Sequence, residues 1–172
     1  GYINAKAQGG AIYNNGKIGD ITGDFINNSA DMGGAIYNSG TIGNISGDFI
    51  DNKTNYGTSG VIHNIGTIGD ISGNFVNGIY GYSSRANIIY NENGTIGNIT
   101  GNFVNGRYAI YNENGKTGNI KGNFFENRNA IYNTNGAMGD IKANFFSNEQ
   151  AILNEKGIIG NITGDIVNNS AG

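Results

Sequence analysis

The chain contains no cysteine, no proline and no tryptophan, and a single histidine. Without cysteine there is no disulfide framework and no thiolate metal site. Without proline no strand loses a ladder donor, so long continuous sheets are permitted. Charge is sparse too. Ten Lys and Arg face thirteen Asp and Glu, for a net charge of -3. No basic cluster exists to follow a phosphate backbone, which argues against a nucleic-acid partner. No apolar run approaches the ~18 residues of a membrane-spanning helix, so a membrane link would have to come through an anchor outside these residues.

What is abundant is glycine, 31 of 172 residues, together with Asn, Ile, Tyr and Phe. Aromatic and β-branched residues favour strands, while Gly and Asn favour tight corners. The residues fall into seven copies of one repeat. Each copy reads Ala-Ile-Tyr-Asn, a Gly-containing turn, an apolar residue, Gly, Asp or Asn, Ile, a polar residue, Gly, Asp or Asn, and Phe. The Asn column is Asn14, Asn38, Asn64, Asn91, Asn112, Asn133 and Asn154. The Ile column is Ile21, Ile45, Ile71, Ile99, Ile120, Ile141 and Ile162, and the Phe column is Phe25, Phe49, Phe75, Phe103, Phe124 and Phe145, closing with Ile166. Successive members of the last column are 24, 26, 28, 21, 21 and 21 residues apart. The extra residues lie between the Phe segment and the next Ala-Ile-Tyr-Asn, around Ser29–Gly33, Lys53–Ser59 and Asn77–Asn87.

One such copy cannot bury its apolar side alone, but stacked copies can. The expected fold is all-β: a parallel β-solenoid, a right-handed β-helix of about seven coils of 21 or more residues. At ~4.8 Å per rung the stack would be ~34 Å long. No apolar residue recurs every six positions, which speaks against the left-handed hexapeptide type. Strand alternation points Ile12 and Asn14 inward and Tyr13 outward. Inward Asn residues require an amide ladder between coils, because an unpartnered buried amide costs about 1–3 kcal/mol. Ile21, Gly23 and Phe25 are expected inside. A corner after Phe is expected to turn the next apolar column (Ile26, Ile50, Val76, Val104, Phe125, Phe146, Val167) inward as well.

Gly9-Gly10-Ala11-Ile12 and Gly33-Gly34-Ala35-Ile36, with Phe25 and Asn28, and Phe49 and Asn52, three residues apart, carry a resemblance. This pairing of Gly-Gly-Ala-Ile with Phe-x-x-Asn resembles the repeats of chlamydial polymorphic outer-membrane proteins and related autotransporter passengers. The resemblance implies a secreted right-handed β-helix displayed on a bacterial surface, with adhesion as its role. The third copy reads Ser59-Gly60-Val61-Ile62, the last four lack the double Gly, and Phe75 and Phe103 are followed by Gly78 and Gly106 instead of Asn. Gly1-Tyr2-Ile3-Asn4 aligns with the Phe segment of a preceding copy. Residues 1–172 are therefore expected to be one solenoid segment of a longer array, uncapped at both ends.

No catalytic constellation is legible. His63 stands where other copies have Tyr, so it reads as a substituted surface aromatic, and no Ser is placed beside it and a carboxylate by any recognisable pattern. Asp20, Asp24, Asp48, Asp70, Asp140 and Asp165 share their columns with Asn, which indicates turn chemistry and no carboxylate pair. The calcium nonapeptide is missing, and Lys17, Lys116, Lys121 and Lys142 interrupt the Thr rows that an ice-binding face would need. The expectation is a protein without enzymatic activity or cofactor. Interaction candidates are the outward aromatic column, Tyr13, Tyr37, Tyr90, Tyr111 and Tyr132 (with His63 and Leu153 in the same column), and Tyr80, Tyr82 and Arg85 in the longest insertion, since aromatic and Arg side chains anchor binding surfaces. Their partner would be a protein or glycan of a host or neighbouring cell, or further copies of the chain itself in a fibre or sheath.

Overall fold

The structure is a computed structural model that describes residues 6–55, 59–80 and 84–171. It is a parallel β-solenoid with three ladders running its length. The first face comprises Ile12–Asn14, Ile36–Asn38, Gly60–Asn64, Asn87–Glu92, Tyr108–Glu113, Asn129–Thr134 and Gln150–Glu155. The second comprises Lys17–Ile18, Thr41–Ile42, Thr67–Ile68, Thr95–Ile96, Lys116–Thr117, Ala137–Met138 and Ile158–Ile159. The third carries the Ile and Phe columns. In the first three coils it is broken in two at the Gly, as in Ile45–Ser46 and Phe49–Ile50, and it becomes continuous in Ile99–Val104, Ile120–Phe125 and Ile141–Phe146. Register is like over like throughout: Ile36 on Ile62, Asn112 on Asn133, Phe103 on Phe124.

The interior follows from that register. Phe25, Phe49, Phe75, Phe103, Phe124 and Phe145 form one stack with ring centroids 4.6–5.0 Å apart and nearly parallel planes. Each such pair contributes about 0.5–1.5 kcal/mol beyond area burial. Ile36, Ile62, Ile89, Ile110 and Ile131 form a second fully buried column beside it. The inward Asn column is the expected amide ladder. Each Nδ2 donates to Oδ1 of the next coil at 2.7–2.9 Å, unbroken from Asn14 to Asn154.

Glycine in the third face has a steric reason. Gly47 has φ 156, and a Cβ there would lie 1.9 Å from the carbonyl oxygen of Gly23 on the coil before. The coils approach too closely at this point for a side chain.

Two expectations about this face and its corner are corrected. The column after Phe does not turn inward: Ile26 is half exposed, and Phe125 and Phe146 are only partly buried while Phe124 and Phe145 beside them are fully buried. The corner comes one residue later, at Asn27, Asp51, Asn77, Asn105, Glu126, Ser147 and Asn168, all left-handed with φ between 53 and 59. Alternation therefore continues through the apolar pair.

The extra residues are also not merely loops. Ser29–Ala30, Lys53–Thr54 and Ile79–Tyr80 stack as a fourth parallel ladder beside the first three coils. It ends in an antiparallel hairpin of Ile79–Tyr80 with Ser84–Arg85. The Ala86 amide donates to the Gly78 carbonyl at 2.7 Å, so residues 79–85 leave and rejoin the coil at one point. Removing those 7 from the 28-residue spacing leaves 21, the length of the later coils. The Asn corner changes as well: Asn to Ile spans 7 residues in the first three coils and 8 in the last four, where Asn93, Asn114, Asn135 and Lys156 take left-handed φ.

Candidate functional site

The aromatic column lies on the outer side of the first face, as alternation requires. Tyr13 stacks on Tyr37 at 5.7 Å, and Tyr37, His63, Tyr90, Tyr111 and Tyr132 follow at 4.7–5.1 Å. Tyr108 packs its ring at 5.3 Å from both Tyr111 and Tyr132, a neighbour that the repeat pattern did not indicate. Its own sequence signal is only an aromatic three residues before Tyr111. Leu153 ends the column, paired with Tyr132.

The row is not uniformly on the surface. Tyr13 is 52% exposed, but Tyr37 is 7% and Tyr90 6% exposed. These buried rings lie in the coils beside the insertions. Tyr111 and Tyr132, in 21-residue coils, stay half-buried. The accessible part of the row is thus Tyr13 at one end and Tyr108, Tyr111 and Tyr132 toward the other.

A carboxylate row runs alongside. Glu92, Glu113 and Glu155 are each two residues beyond their coil's member of the aromatic column (Tyr90, Tyr111 and Leu153), on the same side of the strand. Each carboxylate reaches the aromatic of the coil before. His63 Nε2 is 2.9 Å from Glu92 Oε2, the Tyr90 hydroxyl donates to Glu113, and the Tyr132 hydroxyl donates to Glu155 at 2.8 Å. The phenols are accordingly held in their protonated form. Burial foremost, then Glu92 and Tyr13, raises the pKa of Tyr37. Burial and the Glu113 carboxylate raise those of Tyr90 and Tyr111. For Tyr132 the hydrogen bond to Glu155 is the main cause, with burial next.

His63 departs from the surface-aromatic expectation. It is 1% exposed, between the rings of Tyr37 and Tyr90. Ser59 Oγ is 3.1 Å from His63 Nδ1, completing a Ser59–His63–Glu92 chain that sequence spacing did not reveal. Burial lowers the His63 pKa, against the pull of Glu92 in the opposite direction. A neutral imidazole with its proton on Nε2 satisfies both neighbours: it donates to Glu92 and accepts from the Ser59 hydroxyl. The order of groups is that of a nucleophile relay, but its surroundings are those of a structural tie. Ser59 is itself 1% exposed, and its oxygen accepts the Gly33 amide at 3.0 Å. The chain stitches three successive coils together.

Of the second candidate group, Tyr82 lies outside the described residues. Tyr80 and Arg85 sit on the two arms of the hairpin, Tyr80 opposite Ser84 and Arg85 opposite Ile79. The Asp columns behave as turn chemistry. In the column Asp20, Asn44, Asp70, Asn98, Asn119, Asp140 and Asn161, each Oδ1 from Asp20 to Asp140 accepts the backbone amide of the next member at 2.7–2.9 Å. Asp and Asn interchange there because both supply that oxygen. Among the described residues, no group of three His, Asp or Glu could hold a metal ion. No family model matches the chain, and neither a curated protein nor a solved structure matches it.

Proposed function

We propose that the chain is a non-enzymatic segment of an extracellular surface protein, a right-handed passenger helix of the autotransporter and polymorphic outer-membrane type, acting as an adhesin scaffold. The observation that carries this reading is the division of labour between interior and exterior. Inside, the Phe stack and Asn ladder repeat almost without change. Outside, the aromatic row, the insertion hairpin and the strand faces vary from coil to coil. A scaffold that holds its core constant while varying its surface is suited to presenting contacts. In the polar chain closest to catalytic form, Ser59–His63–Glu92, Ser59 and His63 are buried and engaged, which supports a structural part for it.

The ligand-facing surface in this proposal is Tyr108, Tyr111 and Tyr132 together with the Tyr80–Arg85 hairpin, facing a protein or glycan of another cell. Binding of the purified segment to cells, compared with Y111A/Y132A and Y80A/Y82A/R85A variants, tests it. Loss of binding in either variant with unchanged melting is the expected result. Undiminished binding in both refutes the assignment of the surface.

A second reading is a self-associating fibre or sheath subunit. It is favoured by the repetitive stack of Tyr108, Tyr111 and Tyr132 on the outer side of the first face, a surface against which a second rod would pack. Concentration-dependent filaments seen by electron microscopy would support it, and a monodisperse monomer at high concentration would exclude it.

A further inference from the structure

In a repeat scaffold, the informative residues are those that break the repeat without being required by the core. One such break is concentrated on the third face. Its first outward column reads Thr22, Ser46, Ser72, Thr100, Lys121, Lys142 and Thr163, so that small hydroxyl residues give way to lysine in two adjacent coils only. The last outward column of the same face reads Ile26, Ile50, Val76, Val104, Phe125, Phe146 and Val167, with phenylalanine in those same two coils. Between them stand Asn123 and Asn144. The register sets Lys121 against Lys142, Asn123 against Asn144, and Phe125 against Phe146.

The lysine pair does not stabilise the rod, and the phenylalanine pair stabilises it only through its own stacking. Lys121 and Lys142 are exposed, lie directly opposite each other and meet no carboxylate among the described residues. Like charges facing one another across a ladder are destabilising. Phe125 and Phe146 stack at 5.3 Å and keep part of each ring accessible where smaller aliphatics suffice elsewhere. Shallow hollows of about 350 and 560 Å³ lie on either side of the lysine row, lined on one side by Asn123 and Asn144 and on the other by Asn119, Asp140 and Asn161. The amides are ordered in advance: Asn123 donates to Asn102 at 2.8 Å and Asn144 to Asn123 at 2.9 Å.

We propose that Lys121, Lys142, Asn123, Asn144, Phe125 and Phe146 form a binding site for a linear acidic oligosaccharide. The ammonium pair takes a carboxylate or sulfate, which removes the repulsion between the lysines. The ladder amides meet sugar hydroxyls. The Phe rings cover the C–H face of a pyranose, which is apolar. From the lysine to the phenylalanine is four residues along a strand, about 13 Å, room for a short run of sugar units. This site is separate from the aromatic row on the first face and stands whether or not that row binds anything.

Isothermal titration of the segment with an oligogalacturonate octamer and with a heparin-derived octasaccharide tests the site and distinguishes carboxylate from sulfate recognition. Maltooctaose serves as the neutral control, and polyglutamate and single-stranded DNA as acidic polymers without pyranose faces. K121T/K142T and F125V/F146V use residues the same columns already contain, so the fold is kept. The expected result is saturable binding of at least one acidic oligosaccharide and none of maltooctaose. Binding should weaken about tenfold or more in K121T/K142T, and measurably in F125V/F146V, as charge and ring contacts are removed. Y111A/Y132A should bind as the parent does. The proposal is overturned if neither acidic oligosaccharide binds at millimolar concentration, if binding survives K121T/K142T, or if polyglutamate or DNA binds equally well.

Discussion

Asn112 shows how one residue type carries the interior. Its Nδ2 donates to Asn133 Oδ1 at 2.9 Å and to the Gly115 carbonyl at 3.0 Å, while its Oδ1 accepts from Asn91 at 2.8 Å. Replacing it with Ala leaves Asn133 Oδ1 without its donor in an interior closed to water and takes one of three acceptors from Asn91 Nδ2, which keeps the Gly94 and Lys116 carbonyls. Asn112→Ala should therefore lower stability by about 2–5 kcal/mol, read as a shift of the urea midpoint. His63 makes a pH prediction at the same scale. Its folded-state pKa lies below the ordinary 6.5 because it is buried. Below pH ~6.5 the unfolded chain takes up a proton that the folded chain resists. The stability present above that pH is then lost as pH falls toward the folded-state value. Unfolding midpoints measured from pH 7.5 to 5 should fall in the parent and change less in His63→Tyr, which restores the residue of the neighbouring coils. A parent without extra acid sensitivity would show that the Ser59–His63–Glu92 tie tolerates the charge.

At the scale of the element, the fourth coil has an internal compensation. The Asn of Phe-x-x-Asn holds the corner in most coils: Asn127 Nδ2 donates to the Phe103 carbonyl and to Asn148 Oδ1, both at 3.0 Å. Gly78 and Gly106 interrupt that ladder. Side-chain atoms of Ile88 lie 3.1 and 2.8 Å from where their Cβ atoms would be. Ile88 itself replaces the Ala of Ala35, Ala109 and Ala130, so a larger residue fills what two smaller ones vacate. The excursion at residues 79–85 is independent of this packing. Joining Gly78 to Ala86 recreates the Gly106-Arg107 arrangement of the next coil. The deletion should leave the unfolding midpoint within about 1 kcal/mol of the parent, since it restores the chain path of the next coil. A much larger loss would mean that the fourth ladder supports the coil.

At the scale of the molecule, each coil rests only on its neighbours, and stability is a sum of nearest-neighbour contacts. The columns are fully buried in the middle coils, while Ile12 is only partly buried and Ile158, Ile162 and Ile166 are exposed. Hydrogen exchange should therefore be slowest at the amides of Ile89, Ile110 and Ile131 and fastest in the last described coil. Uniform protection along the rod would instead indicate a single cooperative unit.

Period, register and the inward Ile, Phe and Asn columns were legible in the chain alone. In a parallel stack identical residues meet identical residues, so a recurring letter is already a contact. Whether an outward position is exposed, by contrast, depends on what the unequal coils lay over it. Tyr37 and Tyr90 have the same motif as Tyr13 but are buried. Ser59, His63 and Glu92 converge because the stack sets Glu92 over the ring of the coil before, while Ser59 lies four residues before His63 on its own coil. The position of the corner, one residue past the second apolar column, was likewise set by backbone geometry: its left-handed φ is taken up by Asn, Asp, Glu and Ser alike, with no single residue type to mark it. The repeat determined the scaffold by itself. The accessible surface was decided by tertiary stacking, because exposure is a property of the space between coils and of no residue alone.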